Sequence, residues 1–455
     1  MADAPKDEDD EGREEAAPEA PRALSPRSAA LVALVALAVR AAYWLEVRDA
    51  EILSAPAGPA AFYDQLARGL PALNPSGSPS PITALFVAAA GRAFGPGLAP
   101  VACAQFLLGA ATAVLVALAA GTAFIPRVGR VAGILAAIHA PSFHAEAALS
   151  PAPLAAFFCA AFVVLAQRLA ASPARHRAAL AGAAAGFAFL CRPDAVLLLA
   201  SLLAMSLLLA RLRPRFYAIA AAGLLGFLPV AAAGALVASD LEGGAAVAHG
   251  VPDPPVDRGL SERLLLLASG RELSETPPQY GFMDRESVTK RLLSGAADYR
   301  IVAPLAIVAL PIATPYAGRA AAVLYLVVAL HALAAAAGLS PPPFRLAAAP
   351  AYLAFAAYTV VGFLQCLRSH RTFGRALGIA VGTLLLGLLF SAGREAVRLG
   401  EAPTLEALGE IRAESGDARG AADAFSEAAR EYRDAGLDDA ADRAARLARD
   451  SEGPR

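Results

Sequence analysis

Eleven stretches of this sequence stay apolar for about as long as a lipid bilayer is thick. A helix that crosses a bilayer needs about 20 largely apolar residues. Runs of that kind lie near 29–45, 98–123, 128–145, 151–170, 177–191, 194–210, 215–238, 300–318, 320–338, 346–366 and 375–393. Composition agrees: 57% of the 455 residues are hydrophobic and 17% are charged. Soluble globular chains carry about 25% charged residues. One or two soluble cores could not hide that much apolar surface, and disorder is excluded for the bulk of the chain. The sequence predicts an all-α, polytopic integral membrane protein with about eleven transmembrane helices.

Charge fixes the expected orientation. Cytoplasmic loops of membrane proteins carry an excess of Lys and Arg. With a cytoplasmic N-terminus, the inner turns contain Arg127 and Arg130, Arg168, Arg175 and Arg177, Arg211, Arg213 and Arg215, Arg319, and Arg368, Arg371 and Arg375. These turns hold no acid. The acids between residues 28 and 400 then fall in outer loops or near outer helix ends. A twelfth run, Pro81 to Gly95, is short and interrupted by Arg92. If it spanned, every later basic turn would lie outside, so it is expected to lie in the outer interface. Two long outer segments result, 46–97 and 239–299. Long loops are uncommon unless they serve a function. The expected location is the plasma membrane, with the C-terminus outside.

The two ends are acidic. Residues 1–27 are rich in Pro and acid and are expected to be disordered. They lack the basic n-region of a cleaved signal peptide. Residues 401–455 form a separate module. The spacing of Leu405, Leu408, Gly409, Gly416, Asp417, Ala421, Phe425 and Ala428 fits one tetratricopeptide repeat, followed by a further helix near 438–449. One repeat cannot bury its apolar face alone. It needs its own third helix, the membrane domain, or a protein partner.

Ionisable residues near a membrane are costly, so each is a functional candidate. They cluster on the outer side: Glu46, Asp49, Glu51 and Asp64; His144 and Glu146; Arg192 and Asp194; Asp240, Glu242 and His249; and Arg345 behind three prolines. An acid there can act as a general base toward a hydroxyl. An arginine can hold a lipid phosphate through charge-assisted bonds. His331, in mid-helix, reads as a packed core residue. The four cysteines have no metal-ligand spacing. No metal site, cofactor or nucleic-acid interface is indicated.

Several stretches stand in a recognisable order: Tyr43–Asp49 before the first outer loop, Phe62-Tyr63-Asp64-Gln65-Leu66 within it, and Ser78-Pro79-Ser80-Pro81 after it. Gln105–Ala110 follow, then the turn Leu190-Cys191-Arg192-Pro193-Asp194, and Pro343-Phe344-Arg345-Leu346 with Pro350. As an ordered set they resemble the polytopic glycosyltransferases of the GT-C type, related to protein mannosyltransferases and aminoarabinose transferases. The likeness covers about residues 30–395. The resemblance implies transfer of a sugar from a polyprenyl-phosphate carrier to a lipid, glycan or protein on the outer face. It implies an aspartate in the first outer loop as the base, a carrier phosphate held by Arg192 and Arg345, and substrate contacts from Tyr63 and Asp194. It departs at Pro59, which stands where the family has its first-loop aspartate, and at Ser150-Pro151, where the family has an acid. Two readings stay open. In one, Asp49, Glu51, Asp64 or Glu146 replaces the lost base. In the other, the chain is a catalytically inactive scaffold that binds a lipid or a protein partner through its loops and its repeat. Transport is a weaker third class, since the hydrophobic pattern shows no internal duplication.

Overall fold

The computed structural model describes residues 24–54, 59–68, 80–192, 195–210, 216–242, 280–316, 318–336, 345–368, 373–392 and 401–452. Every regular element among them is helical. The expected 1–27 tail lies almost wholly outside the described residues, as do Asp194 and His249.

The first helix, α1 (Pro26–Val47), starts at an N-cap Ser25 whose hydroxyl accepts from Ser28 N, with Pro26 in its first turn. It ends beside the first loop, which holds α2 (Glu51–Ser54), α3 (Pro59–Ala67) and α4 (Pro81–Phe94). Then come α5 (Leu98–Ala123), α6 (Pro126–Ala137), α7 (Ala140–Ala147), α8 (Ala152–Ala171), α9 (Arg175–Cys191), α10 (Val196–Ala210) and α11 (Phe216–Glu242). After the second loop follow α12 (Val288–Ala297), α13 (Tyr299–Ala313), α14 (Arg319–Ala336), α15 (Arg345–Leu367) and α16 (Phe373–Ala392). The chain closes with α17 (Ala402–Glu414), α18 (Ala418–Asp434) and α19 (Asp438–Glu452).

Five helical stretches are long and apolar enough to cross a membrane: Pro26–Val47, Leu98–Ala123, Ala152–Ala171, Val288–Ala313 and Ala348–Leu367. Shorter apolar helices surround them. The chain is a multi-pass membrane protein. Its largest core joins α1, α5, α6, α8, α9, α14 and α15 through small residues such as Ala113, Ala117, Ala132, Ala185 and Ala354. Small side chains bring backbones close, which is how helices associate where lipid is as apolar as the core.

The run expected at 128–145 as one crossing is broken. α6 stops at Ala137, and α7 restarts behind an extended His139. Pro141 supplies the reason. It has no N–H to continue the ladder and fits only a first helical turn. The His139 ring, buried against Tyr299, bonds the Ser142 hydroxyl through Nδ1 at 2.7 Å. The expected interfacial helix 81–95 is helical over Pro81–Phe94 and packs on α3, α5, α9 and α11. His331 is buried, with Nδ1 2.8 Å from Val327 O.

Candidate functional site

The break before α7 turns Glu146 inward. Its carboxylate sits in the fork of Arg40: Nε donates to Oε2 at 2.6 Å and Nη2 to Oε1 at 2.7 Å. Arg40 Nη1 donates to the carbonyls of Ala36 at 3.1 Å and Ala137 at 3.2 Å. Both residues are buried, Arg40 at 1% and Glu146 at 2% exposure. A bidentate pair with satisfied donors is the arrangement that makes a buried charge pair tolerable. Gly109 on α5 makes room for it, since a Cβ there would run into the Glu146 carboxylate. The pair borders a cavity of about 20 Å³, which also meets Thr112, Pro153, Pro350 and Leu353. That is room for about one water. Pro350 belongs to the helix that Arg345 opens; the side chain of Arg345 lies outside the described residues.

Tyr63 and Asp64 form a second group on α3. The Tyr63 hydroxyl accepts from Ser80 N at 2.9 Å. Burial pushes that phenol up to about 12, so it stays neutral. Ser80 caps α4 by accepting from Thr83 N, and its hydroxyl donates to Leu190 O at 2.9 Å. The first loop is thereby tied to the end of α9, where Arg192 is buried as the C-cap. Asp64 is 8% exposed. Arg68 Nε holds Oδ2 at 2.8 Å, and Oδ1 is buried with no hydrogen-bond partner among the described residues.

The remaining candidates separate. Asp49 is exposed and pairs with its neighbour Arg48 at 3.2 Å. Glu51 pairs with Arg412 of the C-terminal helices at 3.1 Å. Glu46 accepts from Ser287 and Thr289 and so caps α12. His144 lies 3.1 Å from the Tyr43 hydroxyl and edge-on to Tyr280. The side chains of Asp240 and Glu242 fall outside the described residues.

ArnT from Cupriavidus metallidurans bound to undecaprenyl phosphate is 16% identical at a TM-score of 0.50, over 93% of this chain and 77% of that one. The chain has a GT-C-type fold. A second structure like this GT-C fold, the apo oligosaccharyltransferase of Archaeoglobus fulgidus, is 13% identical at a TM-score of 0.48, over 87% of this chain and 59% of that one. No protein-family model and no curated sequence matches.

Arg40 is the residue of this arrangement that the sequence did not single out. The signal existed. Arg40 is the one charge inside the first apolar run, and such a charge marks a partner inside the bundle. What was hidden was the partner, which lies 106 residues away.

Proposed function

We propose that this protein is a membrane glycosyltransferase that moves a sugar from a polyprenyl-phosphate carrier to an acceptor hydroxyl at the loop side of the bundle, the outer face of the plasma membrane. The observation that carries the reading is the fold, alike over 93% of the chain to a protein solved with undecaprenyl phosphate. Arg192 and Arg345, at loop-side helix ends, are assigned to the carrier phosphate. Tyr63 and Asp194 are assigned to substrate contacts.

Among the candidate bases the geometry favours Asp64; Glu51 is paired with Arg412. Arg68 orients one of the Asp64 oxygens, and the other is buried with no hydrogen-bond partner among the described residues. A base needs such an oxygen within about 3 Å of the proton it takes, directly or through one water. Glu146 already has both oxygens in the Arg40 fork, and Asp49 faces solvent beside Arg48. Glu146 then serves by holding α7, and Asp49 by the charge of the loop entrance.

The test is transfer by the purified protein in vesicles loaded with undecaprenyl-phosphate-linked sugars. Removing a general base costs about 100- to 10,000-fold in rate. Asp64→Asn is expected to fall in that range with the fold intact. Arg192→Ala is expected to weaken carrier binding about tenfold. Unchanged turnover in Asp49→Asn, Asp64→Asn and Glu146→Gln alike would sink the reading. The inactive-scaffold alternative is favoured by one observation, the capture of Glu146 by Arg40. It predicts carrier binding without turnover in the wild-type protein.

A further inference from the structure

The opening stretch of the first loop is gripped from two directions. On one side stand the C-terminal helices. Ile52 and Leu53 of α2 are buried in one apolar cluster with Leu405 and Leu408 of α17 and with Tyr432 of α18. Arg412 Nε reaches Glu51 Oε2 at 3.1 Å, and its Nη1 also donates to Gly420 O at the start of α18. On the other side stands the end of the second loop. Glu46 caps α12 through Ser287 and Thr289, and Met283 and Phe282 join the same cluster. Arg285 closes the ring by pairing with Glu401 and Glu427 of the C-terminal helices, at 2.5 and 3.4 Å.

We infer that the C-terminal three-helix module is a clamp that fixes residues 46–54 against the end of the second loop, with Arg412 as its positioning residue. The inference rests on the proposed transfer reaction only for its purpose, which is to hold the entrance of the acid-bearing loop in one place. The contacts themselves do not depend on that reading. Ion pairs this exposed contribute modestly. The apolar seat of Ile52 and Leu53 therefore provides most of the grip, and Arg412 provides the register.

The experiment is amide hydrogen exchange on the full-length protein in detergent, read over 46–54, α5, α8 and α17. Arg412→Glu sets two like charges together and is expected to speed exchange in 46–54 about three- to fivefold. The swap Glu51→Arg with Arg412→Glu is expected to return it to the wild-type rate. Leu408→Asp places a charge in the apolar seat and is expected to raise exchange in 46–54 at least about tenfold. Exchange in α5 and α8 is expected to stay at wild-type rates. The inference is overturned if Leu408→Asp frees α17 while 46–54 exchanges as in the wild type, or if the charge swap restores nothing. Binding of undecaprenyl phosphate by the same proteins separates the two claims. A wild-type protein that does not bind it counts against the glycosyltransferase reading and leaves the exchange result to decide the clamp. Binding that weakens in Arg412→Glu and recovers in the swap supports positioning over mere stability.

Discussion

At the scale of single residues, Arg40 and Glu146 govern the bundle's loop-side end. Either charge left alone in that interior is uncompensated, and breaking such a pair costs about 3–5 kcal/mol. Arg40→Leu or Glu146→Leu alone is therefore expected to lower stability by that amount. The double variant, which leaves no charge behind, is expected to recover most of it. A double-mutant cycle by thermal unfolding in detergent checks this, and additive losses would contradict the pairing. Gly109 belongs to the same unit. Because a Cβ there meets the carboxylate itself, Gly109→Val is expected to expel Glu146 from the fork and to cost nearly as much as Glu146→Leu. The charge of Arg40 was legible in the sequence, as a cation in an apolar run. Its neutralisation was not, because no local spacing links residues 106 apart.

At the scale of helices, small residues set how closely the elements approach. α9 and α11 cross where a Cβ on Gly182 would meet the carbonyl of Gly223, and one on Gly226 the backbone of Ala179. Overpacking a close contact costs about 1–3 kcal/mol and sometimes more. Gly226→Leu, facing backbone that cannot swing away, is expected to reach the upper end of that range. Loss of thermal stability in detergent reads it; a neutral outcome would contradict so close a crossing. The C-terminal hairpin uses the same device: a Cβ on Gly409 of α17 would run into the Phe425 ring of α18. Helix positions were largely legible from hydrophobic run length and from Pro and Gly punctuation. The break between α6 and α7 was not, because the apolar pattern runs on through His139 and Pro141 while the backbone does not.

At the scale of the whole molecule, sidedness is the central question. The first loop and the C-terminal helices share one end of the bundle, joined through Glu51 and Arg412. The basic turns at Arg127–Arg130 and Arg168–Arg177 join α5 to α6 and α8 to α9, at the other end. From the distribution of positive charge we propose that the loop end faces outward. A membrane-impermeant maleimide applied to intact cells is expected to label cysteines placed at Asp423 and Asp49 and to spare one placed at Arg130. The reverse pattern would invert the molecule and remove the assigned outer-leaflet chemistry.

Chain composition and run length sufficed to determine that this protein crosses a membrane many times as helices, because apolar side chains favour lipid while the polar backbone must satisfy its own hydrogen bonds there. Charge placement along the chain sufficed to propose which end works. Which arginine pairs with Glu146 and which with Glu51, and what the start of the first loop packs against, were decided only by tertiary structure. Those answers depend on side chains meeting across long sequence separations, where a glycine, a broken helix or one arginine determines which groups touch.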